Sequence, residues 1–178
     1  MNEIPPDDLE IGSGRGETDS KARNKTQQDD FGIQDLLFVR CGTETLAIFS
    51  DETDGILEWK PPVPLPNSPK SVLGIINGRG RILTVLDLTE LLGIERPGGI
   101  EKRSIVSLRG DEQLGLAVDS VVSAVEMSSE SVSNFANAAA EPPFSAVIEV
   151  DRKMVKIIDS SQLFEFANRD MDRRRYRS

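Results

Sequence analysis

From residue 31 onward, short apolar runs alternate with polar punctuation. The runs Leu36–Arg40, Thr45–Phe49, Val72–Ile76, Arg81–Leu86, Ser104–Leu108, Leu114–Val118, Ala146–Val150 and Met154–Ile158 are rich in Val, Ile and Leu and are separated by Gly, Asp, Glu and Pro. Runs of this length and composition predict β-strands. Two short helices are predicted directly after strands, at Leu88–Leu92 and Ser161–Ala167, with Gly93 placed where a helix stops. Residues 1–30 break this pattern. They hold eight acids, four bases and almost no apolar periodicity, too little to offset the entropy of ordering. The pattern predicts a disordered acidic arm over 1–30, an all-β domain with short helices over 31–168, and a basic tail over 169–178 with five arginines against two aspartates. The run Arg173-Arg174-Arg175 reads as a solvated tail or helix end, or as a contact for a phosphate or acidic partner.

The domain contains an internal echo. Arg81-Ile-Leu-Thr-Val-Leu-Asp87-Leu-Thr-Glu-Leu-Leu92 matches Lys153-Met-Val-Lys-Ile-Ile-Asp159-Ser-Ser-Gln-Leu-Phe164 in chemical type at an offset of 72. Phe38-Val-Arg-Cys-Gly42-Thr-Glu-Thr-Leu46-Ala-Ile48 parallels Val106-Ser-Leu-Arg-Gly110-Asp-Glu-Gln-Leu114-Gly-Leu116 at an offset of 68. The simplest expectation is two successive β units, each opening with a hairpin and closing with strand–Asp–short helix. Units this small should pack on each other, and small barrels suit their short strands because closure removes sheet edges.

Composition narrows the chemistry. With 21 Lys+Arg, 30 Asp+Glu and a net charge of −9, the chain lacks the basic face of a nucleic-acid binder. It has no histidine, which excludes Ser-His-Asp and Cys-His nucleophile pairs and His-ligated zinc. Its one cysteine, Cys41, cannot form a disulfide within the chain, and near the start of an apolar strand it reads as a small buried hydrophobe. The N-terminus has no apolar signal region, and no apolar run approaches the roughly 20 residues needed to cross a bilayer. The expectation is a cytoplasmic protein with no membrane insertion, no cofactor and no metal.

Three motifs admit more than one reading. Asp87 and Asp159 each end an apolar strand, as the paired carboxylates of a hydrolase would. The continuations Asp87-Leu-Thr and Asp159-Ser-Ser lack glycine, however, and Asp87 with Glu90 and Asp159 with Gln162 have capping-box spacing. Five prolines in the nine residues from Pro61 to Pro69 make either a polyproline ligand or a stiff connector pinned to a barrel through Val63 and Leu65. Asn77-Gly78-Arg79-Gly80 lies between two apolar runs. Asn77-Gly78 predicts a hairpin turn with positive φ, which leaves the Arg79 guanidinium on an exposed tip, either solvated or aimed at a carboxylate or carbonyls of another macromolecule. Gly74, inside the preceding strand, marks a bulge or the close approach of another backbone.

The stretch from Leu65 to Leu88, with Leu65-Pro-Asn-Ser-Pro69, Gly74, Asn77-Gly-Arg79-Gly80 and the apolar strand ending Asp87-Leu88, strongly resembles the CheW-like chemotaxis coupling proteins. Phe38–Ile48 and Leu114–Val125 are similar to that family as well, so the resemblance spans roughly residues 33–167. It implies two SH3-like five-stranded β barrels packed on each other. It also implies a non-catalytic adaptor that links a CheA-type histidine kinase, through that kinase's regulatory domain, to the cytoplasmic tip of chemoreceptors in membrane-associated arrays. Other CheW-like domains are further expected partners. Carried over by position, Arg79, Asn77 and Gly74 fall at or near the receptor contact. Gly78 stands where an apolar residue is usual, which implies a looser loop. Thr84 stands where proline is common, and Asp51-Glu-Thr-Asp54-Gly55 puts acids on an expected kinase-facing edge. These departures and the extra arm suggest a divergent coupling protein, serving an output other than swimming. Two readings compete with the adaptor: an aspartate-dependent hydrolase using Asp87 and Asp159, and a polyproline-ligand scaffold acting through residues 61–69.

Overall fold

The apolar runs are continuous rather than alternating because most of these strands are covered on both faces. In the computed structural model, which describes residues 32–130, 132 and 140–175, the strands are β1 (Ile33–Cys41), β2 (Glu44–Phe49), β3 (Thr53–Glu58), β4 (Val72–Gly78), β5 (Arg81–Asp87), β6 (Ser104–Leu108), β7 (Leu114–Val118), β8 (Ser120–Ser128), β9 (Phe144–Val150) and β10 (Lys153–Ile158). Helices α1 (Leu88–Leu92) and α2 (Ser160–Arg175) follow β5 and β10. All eight expected strands are present, and α1 has the expected bounds. Helix α2 runs past the expected Ala167, which is its last described buried residue. Beyond it the sequence is rich in arginine, a good helix former that needs no apolar cover. Two strands escaped the apolar pattern. β3 and β8 are sheet edges paired on one side only, and their apolar residues, interrupted by polar ones, include the exposed Ile56, Val122 and Val125.

The strands form two five-stranded sheets, one ordered β8-β1-β2-β10-β9 and the other β3-β6-β7-β5-β4. Among the described residues each is an open hydrogen-bonded ladder with two edge strands. The echo pairs the right segments, since β1–β2 occupies in one sheet the place of β6–β7 in the other, and β9–β10 that of β4–β5. The expected order of the units is corrected by the topology. Hairpin β1–β2 does not close on β5. It pairs in parallel with β10, with Leu46 opposite Lys156 and Ile48 opposite Ile158. β5 pairs in parallel with β7, with Thr84 opposite Leu114 and Asp87 opposite Ala117. Each sheet therefore joins the hairpin of one repeat to the strand–Asp–helix of the other. The chain leaves the first sheet after β2, builds the second entirely, and returns.

The two-sided cover is visible residue by residue. On β1, Leu37, Val39 and Cys41 face a core shared by both sheets, whereas Leu36 and Phe38 face a second cluster with Ala146, Ile148, Val155 and Ile157. On β6 and β7, Val106, Leu108, Leu114, Leu116 and Val118 join the shared core, and Ile105 and Ala117 pack with Val85 on the other side. Each fully buried aliphatic side chain contributes about 1.5–3 kcal/mol by burial. The shared cluster makes the sheets one cooperative body, and the described residues fall in a single compact unit.

Candidate functional site

The β4–β5 hairpin forms as expected, but its turn lies two residues later than Asn77-Gly78. Gly78 pairs with Arg81, and the positive-φ pair is Arg79 (φ 52°) and Gly80 (φ 81°), the signature of a type I′ turn. Asn77 accepts a hydrogen bond from the Gly80 N–H through its side-chain oxygen at 3.1 Å, closing the turn. The loop is not loosened by Gly78. That residue is buried, and a Cβ on it would lie 2.6 Å from a Leu57 methyl, because Leu57 fills the space.

Arg79 is exposed, but its guanidinium is not held free at the tip as the sequence suggests. Nη1 donates to the Asp54 carbonyl at 2.7 Å. Asp54 is the bulged residue of β3, where the register slips between Thr53 and Gly55. A bulge takes a carbonyl out of the ladder and leaves it open to such a donor. Arg81 braces the same step. Its Nη1 lies 3.5 Å from the Asp54 carboxylate, and its Nη2 donates to the Gly110 carbonyl at 3.1 Å. This ion pair is well exposed and contributes at most about 1 kcal/mol; it organises the end of the sheet more than it stabilises it.

Gly74 serves both readings made of it. The β4 register slips between Val72 and Gly74, and a Cβ on Gly74 would lie 2.1 Å from the Val63 carbonyl oxygen. Val63 exchanges two hydrogen bonds with Ile75, at 2.8 and 2.9 Å. The proline-rich segment is thus strapped along the β4 edge as a connector. It also forms one wall of a groove of about 980 Å3 that continues over Val72, Leu86 and Leu114 to Phe164 of α2. Gly74 is buried beneath the strap, so it shapes the β4 edge through its backbone, five residues before Arg79 in the same hairpin.

The two aspartates are engaged within the fold. Asp159 caps the start of α2, accepting from the Gln162 N–H at 2.9 Å and from the Gln162 side-chain amide at 3.0 Å; the reciprocal half of a capping box is absent, because the Asp159 N–H donates to the Pro143 carbonyl instead. Asp87 caps α1 through Thr89 rather than Glu90, accepting its N–H at 3.1 Å and its hydroxyl at 2.6 Å. It also binds Lys102 Nζ at 2.9 Å and Arg96 Nη1 at 3.2 Å. Burial acts to raise the Asp87 pKa, but the hydrogen bonds from Thr89, Lys102 and Arg96 outweigh it and hold the carboxyl below its usual value. Arg96 Nη2 reaches within 3.2 Å of Asp119, whose other oxygen accepts the Gly42 N–H at 2.5 Å. Gly42 and Thr43 form the β1–β2 turn, and Thr43 N–H donates to the Glu95 carbonyl at 3.0 Å. The network pins the hairpin of one sheet to the other. Cys41 beside it is fully buried, and burial, reinforced by Asp119, pushes its thiol up to about 12.

The candidate site is therefore the end of the second sheet where the β4–β5 turn meets β3 through Asp54, Gly55 and Leu57; the strapped β4 edge at Gly74 lies further back along the same hairpin. Sequence reasoning singled out Arg79, Asn77 and Gly74 as candidates. It missed the part played by Asp54 and Gly55, although an isolated glycine in a strand signals close approach at 55 as it does at 74.

The CheW-like domain model matches residues 35–168. A "Probable chemotaxis protein CheW" of Rhizobium etli is 26% identical over 137 residues, covering 75% of this chain and 88% of that protein. The "Chemotaxis protein CheW" of Thermotoga maritima is 26% identical over 143 residues, covering 79% and 94%. In fold, the chain is similar to the scaffolding protein TtCheW of Thermoanaerobacter tengcongensis, with a TM-score of 0.66 and 22% identity over 75% of this chain and 88% of that one. Two interlaced SH3-like sheets, aspartates spent on capping and clamping, and a family match spanning the domain converge on one assignment: the chain belongs to the CheW-like family of non-catalytic chemotaxis adaptors.

Proposed function

We propose that this protein couples a CheA-type histidine kinase to chemoreceptors, from the cytoplasm and within membrane-associated receptor arrays. The family match over residues 35–168 carries the reading. Apolar sheet surface would form each contact, with charged rim residues choosing the partner. In this assignment Arg79 is the receptor-contacting side chain. Asn77 holds its turn, and Gly74 shapes the β4 edge of the same hairpin. The exposed β3 edge with Ile56, or the β8 edge with Val122 and Val125, is available to a kinase regulatory domain or to other CheW-like domains.

Titration calorimetry tests the reading in two arms. A kinase regulatory domain should bind with micromolar affinity. Arg79→Glu should weaken binding of a receptor cytoplasmic fragment at least tenfold while costing the fold no more than its one exposed hydrogen bond to Asp54, about 1 kcal/mol. No kinase binding defeats the coupling role, and undiminished receptor binding removes Arg79 from the contact.

A further inference from the structure

Gly55 has φ +125°. A Cβ there would lie 2.6 Å from Arg79 Nη1, 2.7 Å from Nη2 and 2.9 Å from Cζ. The end of the guanidinium thus occupies the space where any side chain at 55 would begin. The same group donates Nη1 to the Asp54 carbonyl, and Arg81 lies 3.5 Å from the Asp54 carboxylate. Arg79 itself has positive φ, a conformation a non-glycine residue keeps only when its surroundings over-determine it. Two strands thus act together to fix one flexible side chain in one place.

We infer that the Asp54–Gly55 step is a seat that orients Arg79, and that the partner group it serves is a carboxylate. With Nη1 given to Asp54, Nε and Nη2 keep their donors, and these two form the side-on fork that binds a carboxylate through two parallel hydrogen bonds. Seating the side chain in advance removes much of the rotamer entropy that binding would otherwise cost. Gly55 is a positioning residue: its lack of a side chain is what admits the guanidinium. The inference rests on Arg79 being a receptor contact.

Two measurements on the full chain keep the seat and the contact separable. First, side-chain nitrogen NMR of the protein alone should show Arg79 Nη protons exchanging at least tenfold more slowly than those of exposed Arg152, with the signal assigned by its loss in Arg79→Lys. Exchange as fast as Arg152 overturns the seat, whatever the receptor does. Second, binding of a receptor cytoplasmic fragment should fall about 3- to 10-fold in Gly55→Ser. The double variant Gly55→Ser/Arg79→Ala should bind no worse than Arg79→Ala. Arg79→Lys should lose as much as Arg79→Ala, because an ammonium keeps the charge but not the fork. Wild-type affinity in Arg79→Lys overturns the carboxylate fork. Wild-type affinity in Arg79→Ala overturns the receptor assignment and leaves the seat to be judged by NMR.

Discussion

Replacing Asp119 by alanine should loosen the clamp between the two sheets. Asp119 is only 4% exposed. One of its oxygens takes the Gly42 N–H, and the other lies 3.2 Å from Arg96 Nη2. Truncation leaves the buried Gly42 donor without an acceptor, at about 1–3 kcal/mol. Arg96 retains Asp87, so loss of its second carboxylate adds about 1 kcal/mol rather than the full cost of a broken buried pair. Part of this is offset because a buried charge no longer has to be desolvated. The net expectation is a loss of about 2–3 kcal/mol, a large share of the roughly 5–15 kcal/mol that holds a domain folded. At a urea dependence of about 2 kcal/mol per molar, the unfolding midpoint should fall by about 1–1.5 M. Asp119→Asn keeps an acceptor for Gly42 and loses only the charge, so its midpoint should fall about half as far. A drop below about 0.5 M for the alanine variant, or equal drops for both, would refute the clamp.

Other outcomes follow from the same contacts. Gly74→Ala must push Val63 off the β4 edge and adopt an unfavourable positive φ, so it should cost about 2–4 kcal/mol and lower the thermal midpoint by several degrees; an unchanged midpoint means the strap is not held there. Asp159→Ala should cost about 1 kcal/mol by removing the α2 cap, read as a midpoint shift in urea, whereas Gln162→Ala should cost less because the backbone bond survives. Asp87 has a folded pKa below its unfolded value of about 4. Its contribution is therefore complete above that value and lost as pH falls from it through the lower folded pKa, so Asp87→Asn should flatten the loss of stability below about pH 4 measured by urea titration. Cys41 should resist a thiol reagent at neutral pH until the protein unfolds, since it is buried and its thiol is pushed up to about 12; rapid labelling of the native protein would contradict its placement.

The legible parts of the fold were those where local chemistry and tertiary burial agree. Strands such as Ser104–Leu108 and Leu114–Val118 are buried along their length, so apolar runs alone give their bounds. Asp159 caps α2 at the spacing its sequence announces, though Gln162 reaches its carboxylate rather than its backbone N–H. What was not legible depends on distant partners. β3 and β8 gain their order by pairing with β6 and β1, which their own interrupted apolar patterns do not record. The echo between residues 81–92 and 153–164 identifies repeats but not which hairpin each completes, because that choice is made by β10 docking on β2 across the whole second sheet. At the site, Gly74 was legible as a bulge or close approach, and the hairpin was legible too, but its turn falls on Arg79-Gly80 rather than on Asn77-Gly78. The position of the Arg79 guanidinium was set by a bulge at Asp54, 25 residues away. The residues 1–30 expected to form an arm lie outside the described residues.

Co-sedimentation tests the adaptor role most directly. Membranes carrying a chemoreceptor are mixed with a CheA-type kinase, with and without this protein, and the kinase in the pellet is measured. Coupling requires the kinase to pellet strongly only when this chain is present, and Arg79→Glu to return it to the supernatant. Kinase that pellets equally well without the chain, or never pellets with it, would contradict a coupling role.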